Sequence, residues 1–315
     1  MRGLAPCGLL ALAGCAQLTA GVALLVGEPY GKFGHFSPTG HAGVYLSRIC
    51  ADSPVELRRC RPGELGVVIS RYRDIGGYDW AAVPLLVYLY AVSDPEQIPD
   101  AAGAAFVDSL RETARSTYLR EVAPERGAGK PPKGNWPQLA GAAYDRDLYV
   151  FYLETSAEED DRLMERLNCG DNRRRFNLLW RNCADFARQI INFYYPGAIR
   201  RSLLADAGIM TPKHAAKSLA RFGAKHGELG FSQFLIPQVP GARNSRRARG
   251  VTESIVRSKK YMAPLAVFQP WVAAGTTAAY LASGRFNPSR LPHSICDGGG
   301  LAACLPATES ALPED

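Results

Sequence analysis

Between residues 40 and 95 the chain alternates short apolar runs with groups of turn residues. The runs at 42–46, 55–60, 66–72 and 83–92 are alternating or continuously apolar, which is typical of β-strands. Turn-forming residues separate them, for example Asp52-Ser53-Pro54 and Arg61-Pro62-Gly63. The apolar run at 148–155 predicts another strand farther along the chain. We therefore expect these segments to form a β-sheet.

Helical patterns occupy much of the chain between and after these strands. Residues 99–119 carry apolar residues on one helical face, whereas 123–138 are rich in proline, glycine and charge and predict a loop. Ser156, followed by acidic residues at 158–160, has the signature of a helix N-terminus, and Asn182 is placed to begin the next helix. Strands, a helix, a strand and then two helices predict an α+β domain over residues 28–200.

Outside this domain, four further regions follow from the sequence. They are a leader at 1–27, a helical and basic region at 201–260, an apolar segment at 261–284, and a loop-rich tail at 285–315.

The leader is defined by a charge-free stretch from Gly3 to Gly27, which is long enough to cross a bilayer. Three interpretations stay open: an uncleaved anchor, a conventional cleaved signal, or a lipoprotein signal. The last is suggested by Leu12-Ala13-Gly14-Cys15, which matches the bacterial lipobox pattern. All three place the protein in contact with a bacterial cell envelope, and membrane lipids are expected partners.

Composition excludes several classes of protein. The chain has 315 residues, of which 47% are hydrophobic and 21% charged, so wholesale disorder is excluded. The net charge is +7, and residues 243–260 alone contribute +6, from seven basic residues and one acid. The rest of the chain is nearly neutral, so we expect no nucleic-acid partner. The basic segment is interpreted either as an arm on anionic lipid headgroups or as a solvated loop.

The adjoining segment at 261–284 contains no charged residue. Its length permits a transmembrane helix, but Pro264 and Pro270 interrupt it. A buried or membrane-surface helical hairpin is the alternative.

Cysteine and histidine spacing gives no metal-binding pattern, and no cofactor is expected. Cys183 instead lies in the first turn of the helix predicted to begin at Asn182, where backbone N–H groups and the helix dipole would lower its pKa. His41 lies at the start of an apolar strand. A thiolate and an imidazole in such positions are suited to nucleophilic catalysis.

Two motifs carry a family resemblance. Gly-His-Ala-Gly-Val-Tyr-Leu at 40–46 and Asn-Cys-Ala-Asp-Phe-Ala at 182–187 resemble those of the circularly permuted papain-like hydrolases of the NlpC type, and of their lecithin–retinol acyltransferase relatives. The resemblance implies an antiparallel sheet packed on helices, with Cys183 as nucleophile and His41 as general base. It also implies a third polar residue that orients the imidazole.

For that third residue Glu56, Glu64 and Ser70 are the candidates, and Glu56 is the one selected. His35 is an alternative base.

These observations predict a membrane-associated thiol hydrolase or acyltransferase that acts on an amide or ester, in a cell-wall peptide or a lipid. The alternative is a non-catalytic envelope scaffold or binding protein that retains the papain-like fold. In an oxidising compartment, Cys50 with Cys60 and Cys296 with Cys304 are expected to form disulfides, whereas in the cytoplasm they would stay reduced.

Overall fold

A computed structural model describes residues 20–29, 40–125, 127, 132, 134–242 and 245–296. Its centre is a seven-stranded sheet, and a separate two-stranded hairpin lies beside it. The strands in chain order are β1 (Gly21–Gly27), β2 (His41–Leu46), β3 (Ile49–Ser53), β4 (Glu56–Arg59), β5 (Val67–Ser70), β6 (Ala81–Pro84), β7 (Leu148–Glu154), β8 (Ser232–Ile236) and β9 (Ser294–Ile295). The helices are α1 (Leu85–Tyr90), α2 (Ala104–Tyr118), α3 (Ala157–Asn168), α4 (Cys183–Tyr194), α5 (Leu203–Asp206), α6 (Pro212–Gly223), α7 (Val251–Val256), α8 (Lys259–Phe268) and α9 (Pro270–Ala279).

The large sheet has the order β6-β5-β2-β1-β7-β8-β9, and β3 and β4 form the hairpin. Its strands pair antiparallel except for β8 and β9, which are parallel. Alternate residues of β1 enter two separate cores, as Leu25 packs with α1 on one face and Leu24 packs with α4 on the other. A largely antiparallel sheet with helices on both faces confirms the α+β class.

The central strand β1 comes from the segment that the sequence assigns to the leader. Gly21–Gly27 pairs with β2 on one side and β7 on the other, and all of its residues are buried. A strand buried on both faces is a continuous apolar run, so its composition does not distinguish it from part of a signal sequence. Residues 1–19, including Cys15, lie outside the described residues.

The run at 83–92 is not one strand, as its pattern predicts, but the end of β6 followed by α1. Pro84 closes the strand and serves as the N-cap of the helix. Every residue of α1 is buried, so the helix has no polar face and hence no helical period in its sequence.

Two other predicted elements are confirmed. The strand at 148–155 is β7, and Ser156 caps α3 through a reciprocal capping box with Glu159.

The sheet and its core extend beyond the domain predicted at 28–200. Besides β1, the strands β8 and β9 and the core helix α6 all come from outside that range. The predicted boundary therefore does not coincide with the sheet.

The apolar segment at 261–284 forms α8, α9 and a short helical turn at Tyr280–Gly284 rather than one continuous helix. Arg257, just before α8, donates to the Tyr280 hydroxyl at 3.4 Å, so the segment folds back as a hairpin. Most of its residues are exposed, so the hairpin is not a buried one. Within the described ranges, no helix has both the length and the apolarity needed to cross a membrane.

Candidate active site

His41 begins β2, and its imidazole contacts the neighbouring strand β5. The Nε2 atom of His41 lies 2.7 Å from the Oγ atom of Ser70, and that hydroxyl donates its hydrogen bond to the carbonyl oxygen of Ala42 at 2.8 Å. A serine hydroxyl has one hydrogen to donate, so Ser70 accepts from the imidazole. This assigns the proton of the neutral ring to Nε2 and leaves a lone pair on Nδ1.

Tyr72 fixes the plane of the same ring. The two rings stack with centroids 4.3 Å apart and an interplanar angle of 17°. The Tyr72 hydroxyl donates to the carbonyl oxygen of Gln138 at 2.9 Å, which anchors the stack at its far side. His41 is 8% exposed, and burial followed by the charge of Arg146 lowers its pKa well below the ordinary value. The imidazole is therefore neutral at neutral pH.

Cys183 is the first residue of α4, as the sequence predicts. The Asn182 side chain accepts from the N–H of Asp185 at 2.9 Å and donates to the carbonyl oxygens of Leu178 and Met210, each at 2.9 Å. These bonds fix both the helix start and the turn that precedes it.

The start of α4 places the Cys183 sulfur against the strand that carries His41. The sulfur lies within hydrogen-bonding reach of the backbone N–H of Ala42, the residue that follows His41. Tyr72 is near enough to Cys183 for the thiol to contribute, after burial and Tyr88, to a raised pKa of the Tyr72 hydroxyl. The two predicted residues, His41 and Cys183, are thus brought to one place in the fold.

The protonation state of the thiol differs from the expected one. Burial raises the pKa of Cys183 above its ordinary value. The N–H groups of Ala42, Ala184 and Cys183, together with the positive charge of Arg146, lower it by less than burial raises it. The expectation of a thiolate stabilised by the helix dipole is therefore wrong, because desolvation of the sulfur outweighs these contributions.

A buried ion-pair chain connects the two halves of the site. The Arg71 guanidinium donates to both carboxylate oxygens of Asp79 at 2.7 Å, and Arg181 donates to the same carboxylate at 2.6 Å. Arg71 follows Ser70 in the chain, and Arg181 precedes Cys183 by two residues. Asp79 therefore joins the strand end that holds the imidazole to the turn that positions the thiol.

Of the three candidates for the orienting residue, Ser70 is the one that contacts His41. Neither Glu56 nor Glu64 does so. Glu56 is exposed on β4, in the separate hairpin. Glu64 forms an ion pair with Arg58 at 2.6 Å, and these hydrogen bonds lower its pKa to about 2. The selection of Glu56 as the orienting residue is thus not supported by its position. His35 lies outside the described residues.

Tyr72 and Arg146 are part of the site and were missed from the sequence. Arg146 is buried just before β7, and a side chain at Gly27, the β1 residue opposite His41, would collide with it. The signal available in the sequence was a charged residue two positions before a buried strand. It could not be used, because β1, which lies between β7 and β2, was assigned to the leader.

Three described cysteines outside the site are disulfide-bonded, whereas Cys169 is free and exposed. Cys50 and Cys60 are joined in a disulfide across the β3–β4 hairpin, which confirms the predicted pair. Their sulfurs also lie near Glu64, but disulfide sulfurs are poor metal ligands because they carry no thiolate charge. Cys296 is disulfide-bonded too, and Cys304 lies outside the described residues.

Comparison with known proteins adds little to this geometry. No protein-family model and no curated protein sequence matches the chain. Among solved structures, the crystal structure of the type VI secretion system effector TseH is similar, with 14% sequence identity and a TM-score of 0.30, over 64% of this chain and 89% of that one. A similarity of this degree assigns neither a fold family nor a chemistry.

Proposed function

We propose that the chain is a thiol hydrolase or acyltransferase of the papain-like type, with Cys183 as nucleophile and His41 as general base. The observation that carries the proposal is the packing of the α4 start on the start of β2. There the sulfur of Cys183 meets the N–H of Ala42, and the adjacent His41 holds its proton on Nε2 through Ser70. The unprotonated Nδ1 is then the nitrogen that accepts the thiol proton.

The reaction starts from a neutral thiol and a neutral imidazole. Nδ1 of His41 takes the proton as the Cys183 sulfur bonds to the carbonyl carbon, and the carbonyl oxygen becomes an oxyanion. Backbone N–H groups at the start of α4 stabilise that oxyanion. The imidazolium returns its proton to the departing amine or alcohol, which leaves an acyl-enzyme. Water or another acceptor then releases the acyl group, with His41 again taking a proton.

The surroundings of the pair suit this sequence of charges. The positive charge of Arg146 lowers the pKa of Cys183 and of His41, so it favours the sulfur anion and the return of the proton from the imidazolium. Ser70 and Tyr72 hold the ring throughout. Their contacts fix the imidazole before the substrate arrives, so little reorganisation is needed.

An amide or ester with an apolar acyl group is the substrate class that we propose. The turn just before Cys183 exposes three large apolar side chains, Leu178, Leu179 and Trp180. Asn177 holds this turn through the N–H groups of Leu179 and Trp180 at 2.9 and 3.1 Å. An apolar surface fixed beside a nucleophile favours an apolar group on the substrate. Cell-wall peptides and membrane lipids both contain such groups, and association with the cell envelope is part of the proposal.

Turnover of model substrates tests this function. Nitrophenyl esters of short and long acyl chains and nitroanilides of short peptides report ester and amide cleavage separately. We expect turnover in the full chain, loss to background in Cys183→Ala, and an unchanged rate in Cys169→Ala, which removes an exposed free thiol away from the site. Full activity in Cys183→Ala would contradict the assignment of the nucleophile.

A non-catalytic binding protein is the second candidate, and the burial of His41 and the raised pKa of Cys183 favour it. It predicts that no ester or anilide is cleaved and that no acyl group is transferred to Cys183. The same assay therefore separates the two functions.

A further inference from the structure

The apolar hairpin of α8 and α9 lies apart from the candidate site, and it is unusually exposed for its apolar composition. Every residue of α8 is at least partly exposed, and Ala273 is the buried residue of α9. Helices of this length gain little stability in water unless an apolar face is packed. Their sequence is nevertheless free of charge from Tyr261 to Gly284. The hairpin thus has the composition of a protein interior and the exposure of a surface.

The largest apolar side chains are gathered where the two helices meet. Phe268 ends α8 and is 79% exposed, and Trp271 lies in the first turn of α9 and is 88% exposed. Val267 and Val272 flank them and are exposed as well. We call these four residues the hairpin tip. Exposed apolar side chains that are contiguous, rather than scattered, indicate a surface that an apolar partner covers.

The opposite end of the hairpin is fixed to the domain by buried charges. Lys213 of the core helix α6 donates to the carbonyl oxygen of Gly284 at 2.7 Å and forms an ion pair with Glu253 of α7. Glu253 is 1% exposed and also accepts from Arg257 at 3.0 Å and from the Tyr280 hydroxyl at 3.3 Å. The base of the hairpin is therefore held rigidly while its tip projects.

Exposed positive charges surround this base. Lys259 and Lys260 begin α8, and Arg285 follows the turn that ends the hairpin. The basic segment of the sequence is not a free arm, since Arg247 and Arg257 pair with Glu253. Arg246 and Arg249 of the same segment are exposed.

We propose that the hairpin inserts its tip into one leaflet of an anionic membrane. Each helix has 10 residues, so the hairpin reaches about 15 Å, about half the hydrocarbon thickness of a bilayer. Trp271 and Phe268 enter the apolar region, and the lysines and arginines at the base meet the phosphates of the headgroups. The charge around the base selects an anionic lipid surface over a protein partner. This inference does not depend on catalysis at Cys183.

Quenching of tryptophan fluorescence by brominated lipids measures the insertion directly in the full chain. Vesicles contain brominated phosphatidylcholine, either alone or mixed with phosphatidylglycerol. If the quenching disappears in Trp271→Phe, it arises from Trp271. This assignment holds even if another segment also binds the protein to the vesicle. We expect such quenching on the anionic vesicles and less of it in Lys259→Gln/Lys260→Gln. High salt is expected to reduce it further.

Cosedimentation with the same vesicles, without bromine, supplies the second readout. Phe268→Ser/Trp271→Ser is expected to lower the partition coefficient about tenfold or more, since two large side chains no longer leave water. Leu203→Ser/Leu204→Ser is the matched control, because it removes two side chains of comparable exposure on α5 and is expected to bind like the wild type. Circular dichroism and the alkylation rate of Cys183 confirm that each variant is folded.

Three results would overturn the proposal. They are quenching that persists in Trp271→Phe, equal losses in the tip and control variants, or self-association that depends on the tip without insertion into vesicles. The last result would make a second copy of the chain the occupant of the hairpin tip.

Discussion

The hydroxyl of Ser70 accepts a hydrogen bond from Nε2 of His41 at 2.7 Å, because its own hydrogen is given to the carbonyl oxygen of Ala42. This relationship sets the tautomer of the imidazole and leaves the lone pair on Nδ1. A residue without a charge thereby performs the orienting role for which a carboxylate was expected. A carboxylate would stabilise the imidazolium that forms during catalysis, whereas a serine holds the ring with less effect on its charge.

Replacement of Ser70 by alanine is expected to lower activity while the protein stays folded. The ring would lose its preferred tautomer, so the rate should fall on the order of 10²-fold. Ser70→Thr keeps the hydroxyl and should recover part of the rate. The pH–rate profile distinguishes positioning from a packing effect, because only a change in the hydrogen bond to the imidazole shifts its acidic limb. An unshifted profile in Ser70→Ala would show that Ser70 does not act through His41.

Alkylation of Cys183 by iodoacetamide should require alkaline pH. Burial raises the thiol pKa, so the midpoint of the rate is expected above the free-thiol value of about 8.5. The measurement uses Cys169→Ser, in which Cys183 is the remaining free thiol among the described residues. A rate that is already maximal at neutral pH would show a preformed thiolate and contradict the neutral pair.

The acid side of the stability curve should depend on His41. Its pKa is lowered in the folded state, so the unfolded chain binds more protons between that value and about 6.5. The stability that the neutral His41 gives the folded state is fully present above about pH 6.5, and it is lost as the pH falls towards the folded-state pKa. Urea unfolding as a function of pH measures it. His41→Gln is expected to flatten this decline, because the group whose pKa differs between the folded and unfolded states is then absent.

Removing the charge of Asp79 is expected to lower the free energy of unfolding by more than most single substitutions do. In Asp79→Asn the buried Arg71 would lose its charged partner, and breaking a buried ion pair typically costs about 3–5 kcal/mol. Asp74→Asn is the control, because its ion pair with Arg73 is exposed and such pairs contribute up to about 1 kcal/mol. Denaturant unfolding gives both values. Similar losses in the two variants would mean that Asp79 does not carry the network.

Local signals in the sequence predicted much of this architecture. Ser156 and Asn182 cap α3 and α4 as expected, since capping depends on a few neighbouring residues. The Cys50–Cys60 bridge was also predictable, because it closes a local hairpin. The positions of Cys183 at a helix start and of His41 at a strand start also followed from short local motifs, whereas their pairing was an expectation from the family that these motifs resemble.

The parts that were missed depend on burial and on contacts between distant segments. Gly21–Gly27 and Leu85–Tyr90 are buried on all sides, so their apolar runs carry no period that distinguishes a leader, a strand and a helix. Arg146 reaches the site only because β7 pairs with β1. The direction of the Cys183 pKa shift is likewise set by desolvation in the folded protein.

Transfer of an acyl group to Cys183 is the measurement that tests the central claim most directly. The protein is mixed with an excess of nitrophenyl acetate at neutral pH, and the reaction is stopped in acid. Mass spectrometry then identifies the acetylated residue. We predict that acetyl is added to Cys183 within a single turnover, and that His41→Gln slows this step by on the order of 10²-fold or more, because the neutral thiol then lacks its general base. Tyr78→Phe, which removes a hydroxyl bonded to Glu121 from a partly exposed side chain, should acylate at the wild-type rate. Acylation of Cys183 at an equal rate with and without His41 would contradict the account.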